Sequence, residues 1–475
     1  MNVGNEFSAG TASEEGLQRD LTRRHALAIV IGGVLGTGIY LRPATIAQLV
    51  ISPSFMMIVW LGAGLLSLAG ALTYAELAAR IPRSGGEYAF LRVTLGELPA
   101  FLYGWMRLTV GVGTIAAQAV AATVFLSDLV PLAPAWTQIA VPWGLGTALI
   151  DLGPRQMIAV FIIGALAILN ARGVGKAGRF QSWVTATKVL GLLALISAIA
   201  IFGHTVATLE PASQRSTTPL VGPSALSAAV LAAVAAYNGW ANVAMIGGEV
   251  QNPKRNVPWA LILGMLIVIG LYFMANLAFL DVLPMSDILT ANSTAHPTAP
   301  SVASRAAAIV LGPRVGLALP LLFMISAVGT LHCNLLAVPR VFFAMARDGL
   351  LPQGLASVSS TARTPIAAIT ALACVGGALA VLGSYDRLAN MAAFGYVLFY
   401  ALNAAGLLWW QYREPRGYGQ ILGGFRWIPL LFLVGMLWLF ITLIMRGSIE
   451  IVTALVLMAA GLPVFGYLRY RRSAL

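Results

Sequence analysis

The chain has 475 residues, 59% of them hydrophobic and only 10% charged, with a mean hydropathy of +0.84. A water-soluble domain carries about 25% charged residues, so the composition excludes a soluble globular protein and implies a polytopic helical membrane protein. The formal net charge of +12 raises nucleic acid as a partner, but the basic residues sit at the ends of apolar segments and form no stripe. No nucleic-acid partner is expected.

The first 18 residues are small and polar, which reads as a tail, and they lack the apolar core of a signal peptide, so the first span directs insertion. Crossing about 30 Å of hydrocarbon takes about 20 apolar residues. The rest of the chain divides into such segments at 25–50, 55–80, 94–127, 154–171, 178–203, 222–248, 257–280, 302–347, 365–383, 388–411, 426–447 and 449–469. The third and eighth exceed what a bilayer needs and are expected to tilt or to extend beyond it. The loop over 281–301, rich in Pro, Ser, Thr and Asn, reads as irregular or as short interfacial helices. Arg19, Arg23, Arg24, Arg80, Arg83, Arg92, Lys176, Arg179, Lys254, Arg255 and Arg471 all fall on one side of this scheme. The positive-inside rule then places both termini in the cytoplasm.

Two of the segments are broken in the middle. The first contains Gly36-Thr37-Gly38, with Pro43 beyond; the sixth contains Asn238-Gly239. Unwound backbone survives in a membrane only where it is buried in protein or lines a cavity. Close helix packing would also account for glycines, but a matched pair of breaks five segments apart points to the midplane site of a secondary transporter. The expected fold is therefore all-α, with twelve transmembrane helices in a five-plus-five inverted repeat and discontinuous helices 1 and 6. A cytoplasmic tail covers 1–24, the first repeat 25–203, the second 204–411, and two further helices with the C-terminal tail 412–475.

A broken helix offers free N–H donors on one side of the gap and free carbonyls on the other. Donors at Gly36, Thr37 and Gly38 can take an anion. Carbonyls near Val34 and Leu35, and at Ala235, Ala236 and Asn238, can take a cation a few ångströms away. A zwitterionic α-amino acid matches that pairing. Lys188 is the single lysine deep in a span, where an unpaired cation is costly. Either it snorkels to the interface, or its ammonium reaches the broken first helix and stands where a sodium ion would otherwise sit. Arg107 reads as a structural or interfacial charge, and Glu76 and Glu249 as gate or helix-end partners. The spans hold no acidic residue at mid-membrane, which argues against polycations. His332 and Cys333 do not repeat at metal-ligand spacing and read as ordinary polar contacts. Tyr237, Trp240 and Phe394 are packing residues, one of which could gate a site. With no P-loop, GxSxG or HExxH pattern in the sequence, neither enzyme chemistry nor a cofactor is expected.

Four stretches carry a family resemblance: GVLGTGIYLRP at 33–43, YAELAARIPRSGGEYAFLR at 74–92, AAYNGWANVAMIGGEVQNPKRNVPWAL at 235–261 and PRVFFAMARDGLLP at 339–352. The chain resembles the amino acid–polyamine–organocation superfamily, and within it the L-type amino acid transporters. The resemblance implies a leucine-transporter-like fold and alternating access. It implies carboxylate binding at Thr37 and Gly38 and amine binding at the carbonyls of Val34, Ala235 and Ala236. It aligns Lys188 with a lysine that replaces a sodium site, Asn276 with a family asparagine, and Thr114 with a pocket-lining polar residue. Ala235 departs from the aromatic gate of many relatives, and Ala241 from a frequent asparagine. The loop between spans three and four has no cysteine, so the disulfide to a heavy-chain glycoprotein that the resemblance would imply cannot form there. The expectation is a sodium-independent carrier of neutral amino acids, exchanger or proton symporter, standing alone in the inner membrane of a bacterial-type cell. The alternatives are a proton-coupled carrier of cationic amino acids or polyamines, and a sensor that binds without transport.

Overall fold

The computed structural model describes residues 16–133, 135–143, 146–203, 222–293, 295–296, 298–312, 318–382, 385–414, 421–423 and 425–473. Most of the expected N-terminal tail lies outside them. The helices in chain order are α1 Arg23–Val34, α2 Gly38–Val50, α3 Pro53–Arg80, α4 Glu87–Thr94, α5 Glu97–Met106, α6 Gly113–Leu129, α7 Pro154–Ala171, α8 Val174–Phe202, α9 Pro223–Ala236 and α10 Asn242–Met245. They continue with α11 Pro253–Val282, α12 Met285–Leu289, α13 Val302–Leu311, α14 Ala318–Ala337, α15 Pro339–Arg347, α16 Ile366–Leu382, α17 Tyr385–Arg413, α18 Trp427–Arg446, α19 Ile449–Ala459 and α20 Gly461–Ser473.

Among the described residues, ten helical stretches are long and apolar enough to cross a membrane, and α9, α13 and α16 are shorter apolar helices. Large apolar side chains face outward, with Phe161, Trp183 and Met445 at 74%, 76% and 82% exposure. Polar groups such as Lys188, Glu249, Asn276 and Arg340 are fully buried. That inverted distribution suits a lipid solvent, which satisfies no polar group.

Two expectations are corrected. The eighth span is not one helix over 302–347: α13 stops at Leu311, Gly312 takes φ +74, and a separate crossing runs over Ala318–Arg347. A left-handed glycine ends a helix without steric cost. The third span does run as one long stretch, Glu97–Leu129, with a π-helix over Arg107–Gly111 between α5 and α6. The fold is not purely helical either, because the connection from α6 to α7 forms a hairpin of β1 Thr137–Trp143 and β2 Gly146–Leu152, antiparallel with Thr137 opposite Leu152.

One end of the bundle is tightly closed. Glu249 and Arg340 form a bidentate pair, at 2.6 and 2.9 Å, with both side chains fully buried. Glu76 accepts from Arg80 Nε at 2.7 Å and from the backbone N–H of Leu422 at 3.2 Å. Asp348 pairs with Arg92 and accepts the Tyr88 hydroxyl at 2.8 Å. Leu21 adds a parallel bridge to Val250, its N–H donating to Glu249 O and its carbonyl accepting from Gln251 N. Glu76 and Glu249, expected as gate or helix-end partners, both make their contacts at this end.

Candidate binding site

At the first break, α1 ends at Val34 and α2 begins at Gly38, with Thr37 as its N-cap and no side-chain cap. The last carbonyls of α1 have no partner within the helix, and they are satisfied from neighbouring helices. Lys188 Nζ, from α8, donates to Gly32 O at 3.0 Å, Leu35 O at 3.0 Å and Thr330 Oγ1 at 3.1 Å. Ser326 Oγ also donates to Leu35 O at 3.0 Å. Lys188 is completely buried, so of its two readings the snorkelling one fails and the reach to the broken helix holds.

At the second break, α9 ends at Ala236 and α10 begins at Asn242. Gly239 turns the chain at φ +120, and a Cβ there would lie 2.3 Å from Gly33 O. At Gly38 a Cβ would lie 2.8 Å from that of Ala236. The two breaks are in direct contact, and glycine is what permits it. The Tyr272 hydroxyl, from α11, bridges them, sharing its one proton between Val34 O at 2.9 Å and Ala236 O at 3.3 Å. Val34 O already accepts from Gly36 N at 2.7 Å. A carbonyl has two lone pairs, so in this conformation the one at Val34 is fully engaged. Tyr400 donates its hydroxyl to Asn238 Oδ1 at 2.6 Å.

A cavity of about 520 Å³ opens over both breaks. Val34, Gly36, Thr37, Gly38, Thr114, Ala235, Ala236 and Asn238 all line it. The first N–H groups of α2 have no acceptor inside their own helix, while Ala235 O accepts from Asn238 N at 3.3 Å and Ala236 O from the Tyr272 hydroxyl. Thr114 Oγ1 donates to Gly111 O at 2.8 Å and lies 3.3 Å from the Tyr396 hydroxyl.

The other sequence-selected residues lie behind the wall. Tyr237 packs between Trp60 and Tyr272, with centroids 5.9 and 5.0 Å apart. Trp240 stacks on Tyr400 at 5.1 Å, and Phe394 packs on Phe440. Asn276 donates to Tyr272 O at 2.8 Å, one helical turn back. Glu249 belongs to the closed end. His332 Nδ1 lies 2.7 Å from Gln181 Oε1, and Cys333 contacts Asn242, so both make the expected polar contacts. No group of three metal-ligating side chains occurs among the described residues.

Sequence reasoning missed several lining residues. Tyr396 and Tyr400 from α17, Asn242, Thr330, Glu87 and Arg107 all border the cavity. Aromatic residues in an apolar span give no pattern that separates lining from packing. The expectation concerned acidic residues within the spans; Glu87 lies between two of them in the sequence, yet the start of α4 brings it to the cavity, where Arg107 offsets its charge.

The amino acid permease family profile matches residues 21–463. Over 470 residues the chain is 27% identical to the serine/threonine exchanger of Bacillus subtilis, covering 97% of this chain and 99% of that one. It is 30% identical over 404 residues to the large neutral amino acids transporter small subunit 2 of Oryctolagus cuniculus, covering 84% and 71%. With the cystine/glutamate transporter of Homo sapiens it shares 29% identity over 417 residues, covering 87% and 78%. The match runs through both breaks and nearly the whole bundle: the chain is a multi-pass membrane protein of amino acid transport and belongs to the amino acid permease family.

Proposed function

We propose that the chain is a sodium-independent secondary transporter of neutral L-amino acids that works by alternating access, as an exchanger or a proton symporter. It sits in the inner membrane of a bacterial-type cell with both termini cytoplasmic. In this reading α1 with α2, and α9 with α10, each make up one crossing; with α16 counted as a span the total is twelve, arranged as two inverted repeats of five and two further helices. The substrate carboxylate rests on the N–H groups of Thr37 and Gly38. Its ammonium rests on the carbonyls of Ala235 and Ala236, and reaches Val34 O only when the Tyr272 hydroxyl turns away. The connection carrying the β1–β2 hairpin has no cysteine, so the transporter acts without a disulfide-linked heavy chain.

The observation that carries sodium independence is the Lys188 ammonium on Gly32 O and Leu35 O. A fixed cation bonded to those carbonyls occupies the place and supplies the charge of a coordinated sodium ion. In purified proteoliposomes, labelled neutral amino acids should exchange with an internal pool in sodium-free buffer. A strict sodium requirement would overturn the reading. Dominant competition by arginine, lysine or ornithine would favour a cationic substrate, for which Glu87 is the available counter-charge. Binding without counterflow would indicate a sensor.

A further inference from the structure

One buried guanidinium donor at the cavity is not used by the site described above. Arg107 is only 2% exposed and borders the cavity, yet its Nε has no hydrogen-bond partner among the described residues. Its guanidinium touches Met245 Sδ at 4.0 Å, and Cζ lies 5.0 Å from the Tyr396 ring centroid. Neither contact is an oxygen acceptor, and a buried donor left unmet is costly. The π-helix over Arg107–Gly111 is a second irregularity at the same place, and such bulges concentrate at functional sites. Glu87, 1% exposed, borders the same end of the cavity; one of its oxygens accepts the Tyr103 hydroxyl at 2.6 Å. A carboxylate has about four lone-pair positions, so acceptor capacity remains.

This end of the cavity is continuous with the substrate site. Tyr396 links them, since its hydroxyl lies 3.3 Å from Thr114 Oγ1 while its ring carries Arg107. We infer that Arg107 and Glu87 form the side-chain subsite, and that it selects amino acids bearing a carboxamide, glutamine and asparagine. The amide oxygen accepts from Arg107 Nε–H, and the amide NH₂ donates toward Glu87. An aliphatic side chain leaves the guanidinium unmet. An acidic one meets the Glu87 charge, and a basic one meets the Arg107 charge. The inference rests on the amino acid transport reading and deepens it to a substrate class.

The test is counterflow of labelled L-alanine, whose methyl group is too short to reach Arg107, by the full chain in proteoliposomes. Competitors are glutamine, asparagine, leucine, glutamate and lysine. Glutamine should compete at least about tenfold better than leucine, the smallest factor expected for one charge-assisted hydrogen bond, and better than glutamate or lysine. R107M should bring the glutamine-to-leucine ratio to within about twofold of unity, whereas a structural role would lower protein yield without changing the ratio. If R107M cannot be recovered, R107Q gives the same readout. Absence of alanine counterflow in the wild type defeats the transport reading itself. Alanine counterflow with leucine, glutamate or lysine competing as well as glutamine defeats only the subsite, as does a ratio unchanged in the variant.

Discussion

At the first break, groups from three other helices hold the freed backbone: the Lys188 ammonium, the Ser326 hydroxyl and the Tyr272 hydroxyl. At the second, the chain mostly satisfies itself. Tyr237 N donates to Ala233 O and Val234 O, Asn238 N to Ala235 O, and Asn242 N to Gly239 O, all at 3.1–3.3 Å. The first gap is therefore a fixed electrostatic frame, and the second is a turn whose shape depends on one glycine. The difference assigns different work to each. Held from three helices, the first gap resists reshaping, whereas among the described residues the second leans on outside groups only through the Tyr272 and Tyr400 hydroxyls.

The largest effect should follow from Gly239→Ala, which adds a Cβ 2.3 Å from Gly33 O in a conformation at φ +120. Positive-φ strain alone costs of order 1–3 kcal/mol, and the collision adds to it. Thermal unfolding in detergent should drop by many degrees, and a variant as stable as wild type would show that the breaks do not press together.

Next comes Lys188→Ala. It strips a buried cation from two carbonyls, and uptake should fall to about a tenth or less, each charge-assisted bond contributing about 1.5–3 kcal/mol. Full uptake would make the frame unnecessary. Tyr272→Phe removes a hydroxyl that bonds to both gaps. A loss of about 1 kcal/mol in stability is expected, together with altered substrate affinity, since Val34 O is freed. An isothermal titration indistinguishable from wild type would separate the gaps functionally. The smallest effect belongs to Tyr400→Phe, which takes a single hydrogen bond from Asn238 Oδ1. It should shift half-saturation by only a few-fold, and a total loss of transport would mean that the second turn is held from outside after all.

Much of this site was readable from residue order. Glycines and a threonine inside an apolar run violate helix propensity strongly enough to mark the breaks; Val34, Gly36, Thr37, Gly38, Ala235, Ala236 and Asn238 border the cavity, while the Leu35 carbonyl is taken by Lys188. Lys188 was legible for a similar reason, as the single lysine deep in a span. Tyr272 and Tyr400 were not, because a tyrosine among leucines and alanines looks the same whether its hydroxyl meets a helix end or only its ring packs. Glu87 was hidden by position: it lies between two spans, and only the path of α4 returns it to the cavity. The π-helix at Arg107–Gly111 had no sequence marker, and the division of the eighth span turned on the conformation of Gly312.

The Leu21–Val250 bridge ties the segment entering α1 to the segment leaving α10 through two main-chain hydrogen bonds, Leu21 N to Glu249 O at 3.0 Å and Gln251 N to Leu21 O at 2.9 Å. Two amide protons at this seam are thus sheltered while the closed end stays closed, and must be released together when it parts. In the proposed alternating-access cycle, deuterium uptake at positions 21 and 251 would act as a clock: slow in a population facing one side of the membrane, fast in one facing the other, and set by substrate through the shift in occupancy.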